Sequence, residues 1–243
     1  LTAGLLSYFS RSPREDQRGN TPGADTGTLR NRSLRQTQYL SLFAEHLFRW
    51  GPLSVTPGLR LEHIWQDVNE LGNTDKHERG TQFGDVEEFD FVPLFGLGAT
   101  YDLTADARLY GNFSQGYRPK IFAQSVPTGA ANVVNSDLEE GKSWTFDVGM
   151  RGTPFAGALR WDASLFLMRF EDQIGASGNT IENVGDALHQ GLEFATELDL
   201  VSLYDATQGT TYHDQVGSIS PFFNLMVLDA KFTEGPQDGK TPQ

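Results

Sequence analysis

The sequence has no cysteine, which excludes a disulfide framework and thiolate metal sites without fixing a compartment. It also lacks any apolar run of the about 18 residues a membrane-spanning helix needs. The longest candidate, PFFNLMVL at 221–228, is the length of a strand. Basic residues are scarce: 19 Lys and Arg against 32 Asp and Glu give a formal charge of −13. Non-specific nucleic-acid binding needs a basic surface, so nucleic acid is not an expected partner. The N-terminal LTAGLLSYFS has neither the basic region nor the cleavage site of a signal peptide. It starts in mid-pattern, and the C-terminus stops in EGPQDGKTPQ, so both ends are expected to be cuts in a longer chain.

Aromatic residues are plentiful. Seventeen Phe, seven Tyr and four Trp in 243 residues suit strands better than helices. The length fits one large or two ordinary domains and is enough to bury a core, yet the mean hydropathy is −0.40. Strict alternation explains the mismatch. In 53–65, Leu53, Val55, Pro57, Leu59, Leu61, His63 and Trp65 share one face, with Ser54, Thr56, Gly58, Arg60, Glu62 and Ile64 on the other. Residues 158–170, 143–151 and 191–200 repeat the pattern; 36–50, 91–101, 107–118 and 216–228 are less regular, and 2–9 is partial. These nine stretches are long for soluble strands and match the roughly 9–11 residues of a tilted strand crossing a bilayer.

The connections carry a second regularity. Short turns at Gly51-Pro52, 102–106 and 152–157 take turns with long polar segments at 10–35, 66–90, 119–142 and 171–190. The exception is 201–215, where a short turn is due and a longer one stands. Short periplasmic turns and long external loops are the habit of outer-membrane barrels. Threaded this way, Trp50, Tyr101 and Trp161 fall near the short-turn end, and Trp65, Phe91, Tyr117 and Trp144 near the loop end, as two interfacial belts. The bland alternative is that aromatics simply favour strands.

Six stretches together carry a resemblance: TPGLRLEH (56–63), LFGLGATYDLTADARLYGNFSQGYRPK (94–120), NSDLEEGKSWTFDVGMRG (135–152), RWDASLFLMRFEDQI (160–174), ENVGDALHQGLEFATELDL (182–200) and FFNLMVLDAKF (222–232). Over roughly 36–232 the chain resembles the β-barrel of TonB-dependent outer-membrane receptors, most of all the ferric dicitrate and siderophore receptors. The resemblance implies an all-β, antiparallel transmembrane barrel of about 22 strands with a plug inside it. It also implies a ferric chelate as ligand, the TonB complex and outer-membrane lipid as partners, and the outer membrane of a Gram-negative bacterium as the location. With about nine strands, residues 1–243 are expected to be a partial barrel domain without plug or terminal strands. Two open edges are intolerable in lipid, so the fragment alone is expected neither to insert nor to transport.

Candidate ligand contacts are Tyr117, Arg118 and Lys120, where a strand meets the loop 119–142. Arg118 would face the lumen and attract a carboxylate-rich chelate by charge-assisted hydrogen bonds, or else pair with a lumenal carboxylate. Arg60, Glu62, Arg108, Arg151 and Arg160 also read as lumenal, as a wall of mutual ion pairs. The run GDVEEFD places Asp85, Glu87, Glu88 and Asp90 in a loop, either a divalent-cation site or, more simply, a solvated acidic loop without the spacing of an EF-hand. DLEEGKSW (137–144) reads as the launch of a strand from the outer rim. Histidines 46, 63, 77, 189 and 213 form no close metal spacing. GNFSQG is not a nucleophile elbow, since Asn112 stands where the first glycine belongs. No catalytic constellation and no cofactor are implied, so an enzyme is not expected. The expected function is active import of a ferric citrate or siderophore. The rivals are a passive porin-like barrel and a soluble β-sandwich that binds carbohydrate.

Overall fold

The computed structural model describes residues 1–241 apart from 24, 128 and 130. Its strands are β1 (Thr2–Arg18), β2 (Thr28–Glu45), β3 (Phe48–Trp50), β4 (Leu53–Asn73), β5 (Asp85–Asp102), β6 (Ala107–Arg118), β7 (Val133–Val134), β8 (Gly141–Gly152), β9 (Leu159–Glu171), β10 (Ile174–Ser177), β11 (Thr180–Asn183), β12 (Ala187–Leu198) and β13 (Phe222–Phe232). Short helices interrupt them: α1 (Thr74–Glu78), α2 (Phe122–Ser125), α3 (Leu200–Gln208) and α4 (His213–Val216). Nine strands form one antiparallel sheet in the order β1-β2-β4-β5-β6-β8-β9-β12-β13, with β3 beside β4, and leave β1 and β13 as open edges. Eight of the nine expected stretches are strand over most of their length; the ninth, 216–228, is strand only from Phe222, with Val216 still in α4. The nine strands of the path lie side by side in the order they follow in the chain.

Cross-strand register fixes which residues share a face. Ser41 stands opposite Glu62, Glu62 opposite Val92, Gly98 opposite Asn112, Asn112 opposite Asp147, and Asp147 opposite Phe166. That face holds the buried residues Ser41, Glu62, Ile64, Val68 and Glu70. The other face presents rows of exposed apolar side chains: Phe89, Phe91, Phe95 and Leu97 on β5, Phe146 and Val148 on β8, Leu165 and Leu167 on β9, and Phe223, Leu225 and Val227 on β13. No second layer covers them among the described residues, so the β-sandwich rival, which needs Leu53, Leu59, Leu165 and Leu167 in a protein core, does not hold. A single layer with an uncovered apolar face is stable where hydrocarbon is the solvent. Along β5, Phe89 and Tyr101 are twelve residues apart. That is roughly 40 Å of strand, or roughly 30 Å at a barrel tilt, enough to place the two on opposite interfaces.

Two of the long segments are corrected. In place of a loop over 10–35, β1 runs to Arg18 and β2 starts at Thr28; in place of a loop over 66–90, β4 runs to Asn73 and β5 starts at Asp85. The acidic run GDVEEFD is therefore strand from Asp85 onward. Strands β1, β2, β4 and β5 have 17, 18, 21 and 18 residues against 12, 12 and 13 for β6, β8 and β9, and the excess lies at the loop end. Past the bilayer neither face needs apolar residues, so the hydrophobic alternation fades while the backbone ladder continues. The described parts of 119–140 and 172–186 do stay outside the large sheet, holding only the short pieces α2, β7, β10 and β11, and β8 starts at Gly141 as the DLEEGKSW stretch suggested. The long turn after β12 holds α3 and α4.

Candidate functional site

The polar face is knitted together by side chains that reach across strands. Arg60 pairs with Glu62 at 2.7 Å and donates to the Ser41 hydroxyl (3.0 Å) and the Tyr39 hydroxyl (2.5 Å). Arg108 pairs with Asp102, while Arg151 lies over the Tyr110 ring with its guanidinium carbon 5.2 Å from the centroid. Tyr110 donates to Asp162 on β9 at 2.6 Å, spanning the intervening strand β8. It can do so because the residue facing it on β8 is Gly149: a Cβ there would stand 2.5 Å from the Tyr110 hydroxyl. Phe166 crosses Gly191 in the same manner, 2.7 Å from the position a Cβ would take. Arg160 makes no ion pair among the described residues. With Asp102, Asp162 and Glu197, Arg108, Arg151 and Arg160 line an open concavity of about 600 Å³ at the short-turn end.

At the opposite end the loops join into a rim. Strand β7 pairs parallel with β11, which pairs with β10. The Asn183 side chain accepts from Glu139 N–H and donates to the Glu139 carbonyl, both at 2.9 Å. Loop 74–84 is pinned by Glu70, whose carboxylate accepts from Asn31 (2.7 Å), Asn73 (2.7 Å), Lys76 (2.7 Å) and the Gly84 N–H (2.9 Å). Helix α2 folds back on β2 and β5: Arg35 sits over the Phe122 ring and Ser125 donates to Glu88 at 3.1 Å. Val126 beside it is buried.

The three residues singled out by sequence sit where β5 and β6 part. Their pairing stops at Gly96 opposite Ser114, although β5 stays paired with β4 back to Asp85. Above that point the Gln115 side chain replaces the ladder, accepting from Phe95 N–H at 2.9 Å, and Pro93 offers no donor at all. A cavity of about 300 Å³ opens in the wall between Phe91, Pro93, Gln115, Tyr117 and Trp144. The Tyr117 hydroxyl is buried there beside the Asp90 carboxylate. Lys120 ends between Glu140 (3.0 Å) and Glu88 (3.6 Å). Burial works against its charge, but Glu140 and Glu88 outweigh it and hold the amine above the ordinary lysine range. Arg118 is exposed, and its side chain makes no ion pair or hydrogen bond among the described residues. Tyr117 and Lys120 thus converge on an acidic cluster of Glu88, Asp90 and Glu140, while the Arg118 side chain is unpaired among the described residues. The sequence alone puts Glu88 in a loop and Glu140 at the launch of a strand; in the structure Glu88 is on β5 and Glu140 just precedes β8. Carrying the alternation of Phe89, Phe91 and Phe95 back toward Asp85 would have put Glu88 and Asp90 on the polar face.

The model of the family described as TonB dependent receptor-like, beta-barrel matches residues 2–242. This chain belongs to that family. TonB-dependent receptor barrels are receptors of the Gram-negative outer membrane rather than enzymes. Similar solved structures include the ferric citrate transporter FecA in its unliganded form, 18% identical with a TM-score of 0.67 over 98% of this chain and 37% of that one. The ferric yersiniabactin uptake receptor FyuA from Yersinia pestis is 20% identical with a TM-score of 0.68 over 95% of this chain and 32% of that one. The ferric-catecholate import receptor Fiu from E. coli K12 is 14% identical with a TM-score of 0.65 over 99% of this chain and 37% of that one. These likenesses concern the fold, and the chain spans about a third of the length of each receptor. No curated protein sequence matches it. In the terms of a TonB-dependent receptor barrel, the exposed apolar rows are the lipid face, and the Arg60 and Tyr110 networks line the bore.

Proposed function

We propose that this chain is part of the barrel wall of an importer that carries a ferric chelate, a citrate or siderophore complex, across the outer membrane with energy delivered through TonB. Plug and remaining strands belong to the rest of the protein. The observation that carries the reading is the two-faced wall itself: an uncovered apolar exterior, an arginine-bearing polar interior, and loops gathered into a rim at one end only. The likeness in fold to FecA, Fiu and FyuA, whose names state ferric ligands, supports the choice of cargo.

Among the rim residues Arg118 is the ligand contact. It is an unspent cation at the mouth, able to make a bidentate pair with a carboxylate or catecholate oxygen pair. Lys120 is already neutralised by Glu88 and Glu140, so its share is to hold the rim, with Tyr117 closing the wall beside it. The test is growth of an iron-starved host lacking its own receptors, carrying the full-length gene, on ferric citrate and on a panel of ferric siderophores. Rescue by at least one source, abolished when TonB is deleted and weakened by Arg118→Ala, is expected. Rescue that survives TonB deletion indicates the passive pore instead, and no rescue by any ferric source overturns the choice of cargo.

A further inference from the structure

The turn between β12 and β13 stands out among its neighbours. The other connections at that end are turns of a few residues, whereas this one builds two helices. The module is self-contained. Asp199 caps α3 by accepting from Val201 N–H (3.0 Å), Ser202 N–H (3.1 Å) and the Ser202 hydroxyl (2.7 Å). Asp205 binds the Thr210 hydroxyl (2.5 Å) and the Tyr212 (2.9 Å) and His213 (2.7 Å) N–H groups, which locks α4 onto α3. Both aspartates are thus used inside the module.

Beside exposed polar residues such as Gln208, Asp214 and Gln215, the module presents a set of apolar side chains. Leu200 and Tyr204 are one helical turn apart on α3, and Tyr212, which precedes α4, and Val216 at its end are spaced alike. The Tyr204 and Tyr212 rings meet at 6.0 Å. Leu200, Tyr204, Tyr212, Val216 and Ile219 are 45%, 52%, 48%, 72% and 63% exposed. The direction of this face follows from register. Thr196 opposes both Trp161 and Phe223 in the lipid-facing row. The ladder then continues, with Leu198 N–H donating to the Pro221 carbonyl at 3.1 Å and Leu200 N–H to the Ile219 carbonyl at 3.0 Å. Leu200 and Ile219 therefore extend the lipid-facing row past the level of Trp161. No described strand covers them.

We propose that α3 and α4 lie in the headgroup layer of the inner leaflet as an interfacial anchor for this edge of the barrel. The inference rests on the outer-membrane reading above. An apolar row that continues from hydrocarbon with only Thr196 interrupting it, then changes to half-exposed tyrosines, is what a membrane interface selects. Residues 199–221 contain neither Lys nor Arg, so the anchor suits zwitterionic headgroups and gains nothing from anionic ones.

The experiment uses the full-length receptor in nanodiscs of phosphatidylethanolamine with and without phosphatidylglycerol. Nitroxides are attached at Tyr204→Cys, Tyr212→Cys and Val216→Cys, with Val227→Cys, four residues further along the lipid-facing row than Phe223, as the hydrocarbon control and Asp214→Cys as the aqueous one. The expected result is a several-fold higher ratio of oxygen to nickel-chelate collisions at 204, 212 and 216 than at 214, below that at 227, and unchanged by phosphatidylglycerol. Ratios at 204, 212 and 216 equal to that at 214, with 227 still in hydrocarbon, overturn the anchor alone. An aqueous 227 overturns the membrane reading itself. Shielding of 204, 212 and 216 only after a basic periplasmic protein is added overturns the anchor in favour of a protein partner.

Discussion

Replacing Gly149 with alanine tests the reading of the bore most directly. The new methyl would sit 2.5 Å from the Tyr110 hydroxyl and 2.7 Å from the Ala163 carbonyl oxygen. The tyrosine can swing away, but the carbonyl belongs to a paired strand and cannot. Swinging away costs the 2.6 Å hydrogen bond to Asp162, worth about 1.5–3 kcal/mol for a charged acceptor and near the low end in a wet bore. It also costs the contact with the Arg151 guanidinium, about 0.5–1 kcal/mol. Crowding of the Ala163 carbonyl adds about 1 kcal/mol or more. The smaller conformational freedom of alanine in the unfolded chain returns about 0.4–1 kcal/mol. The net expectation is a loss of about 2–4 kcal/mol. Urea unfolding of the full-length receptor in lipid vesicles, followed by tryptophan fluorescence, measures it. In a Tyr110→Ser background the same change should cost about 1.5–3 kcal/mol less, because the hydrogen bond and ring contact are already gone. A neutral Gly149→Ala, or an equal penalty in both backgrounds, refutes the bridge from β6 across β8 to β9.

Glu70→Ala should cost about 3–5 kcal/mol and open the loop 74–84 to protease, since it strands the buried Lys76 ammonium and the Gly84 N–H; limited proteolysis with mass mapping reads it. Lys120→Gln should expose segment 119–140 to protease by leaving Glu88 and Glu140 facing one another. In the unmodified protein this bridge is fully present below the usual lysine pKa of about 10.4 and is lost only as the pH climbs through the higher folded value. Asp199 lies below the ordinary carboxylate range, chiefly because the Ser202 hydroxyl bonds its ionised form. The cap it provides should therefore be intact above about pH 4 and fail only as the pH falls through that lower value. Amide exchange at Val201 and Ser202 across an acid series checks this, and Asp199→Ala should remove the protection at every pH.

By itself the sequence determined what is local. The alternation of Leu53, Val55, Leu59 and Leu61 with Ser54, Arg60 and Glu62 names both faces of a strand, because side chains in a strand point alternately to opposite sides. The order of short and long connections set an up-and-down antiparallel topology, and the anomaly at 201–215 marked the module that became α3 and α4. Strand length was not legible, because the apolar signal of β4 and β5 ends where lipid ends while backbone pairing continues to Asn73 and back to Asp85. Register was not legible either. That Tyr110 crosses Gly149 to reach Asp162, that Lys120 meets Glu88 and Glu140, and that β5 and β6 part above Gly96 are all pairwise facts between distant residues. A period of two says which face a residue occupies; only the ladder of hydrogen bonds between neighbouring strands decides which residues stand side by side.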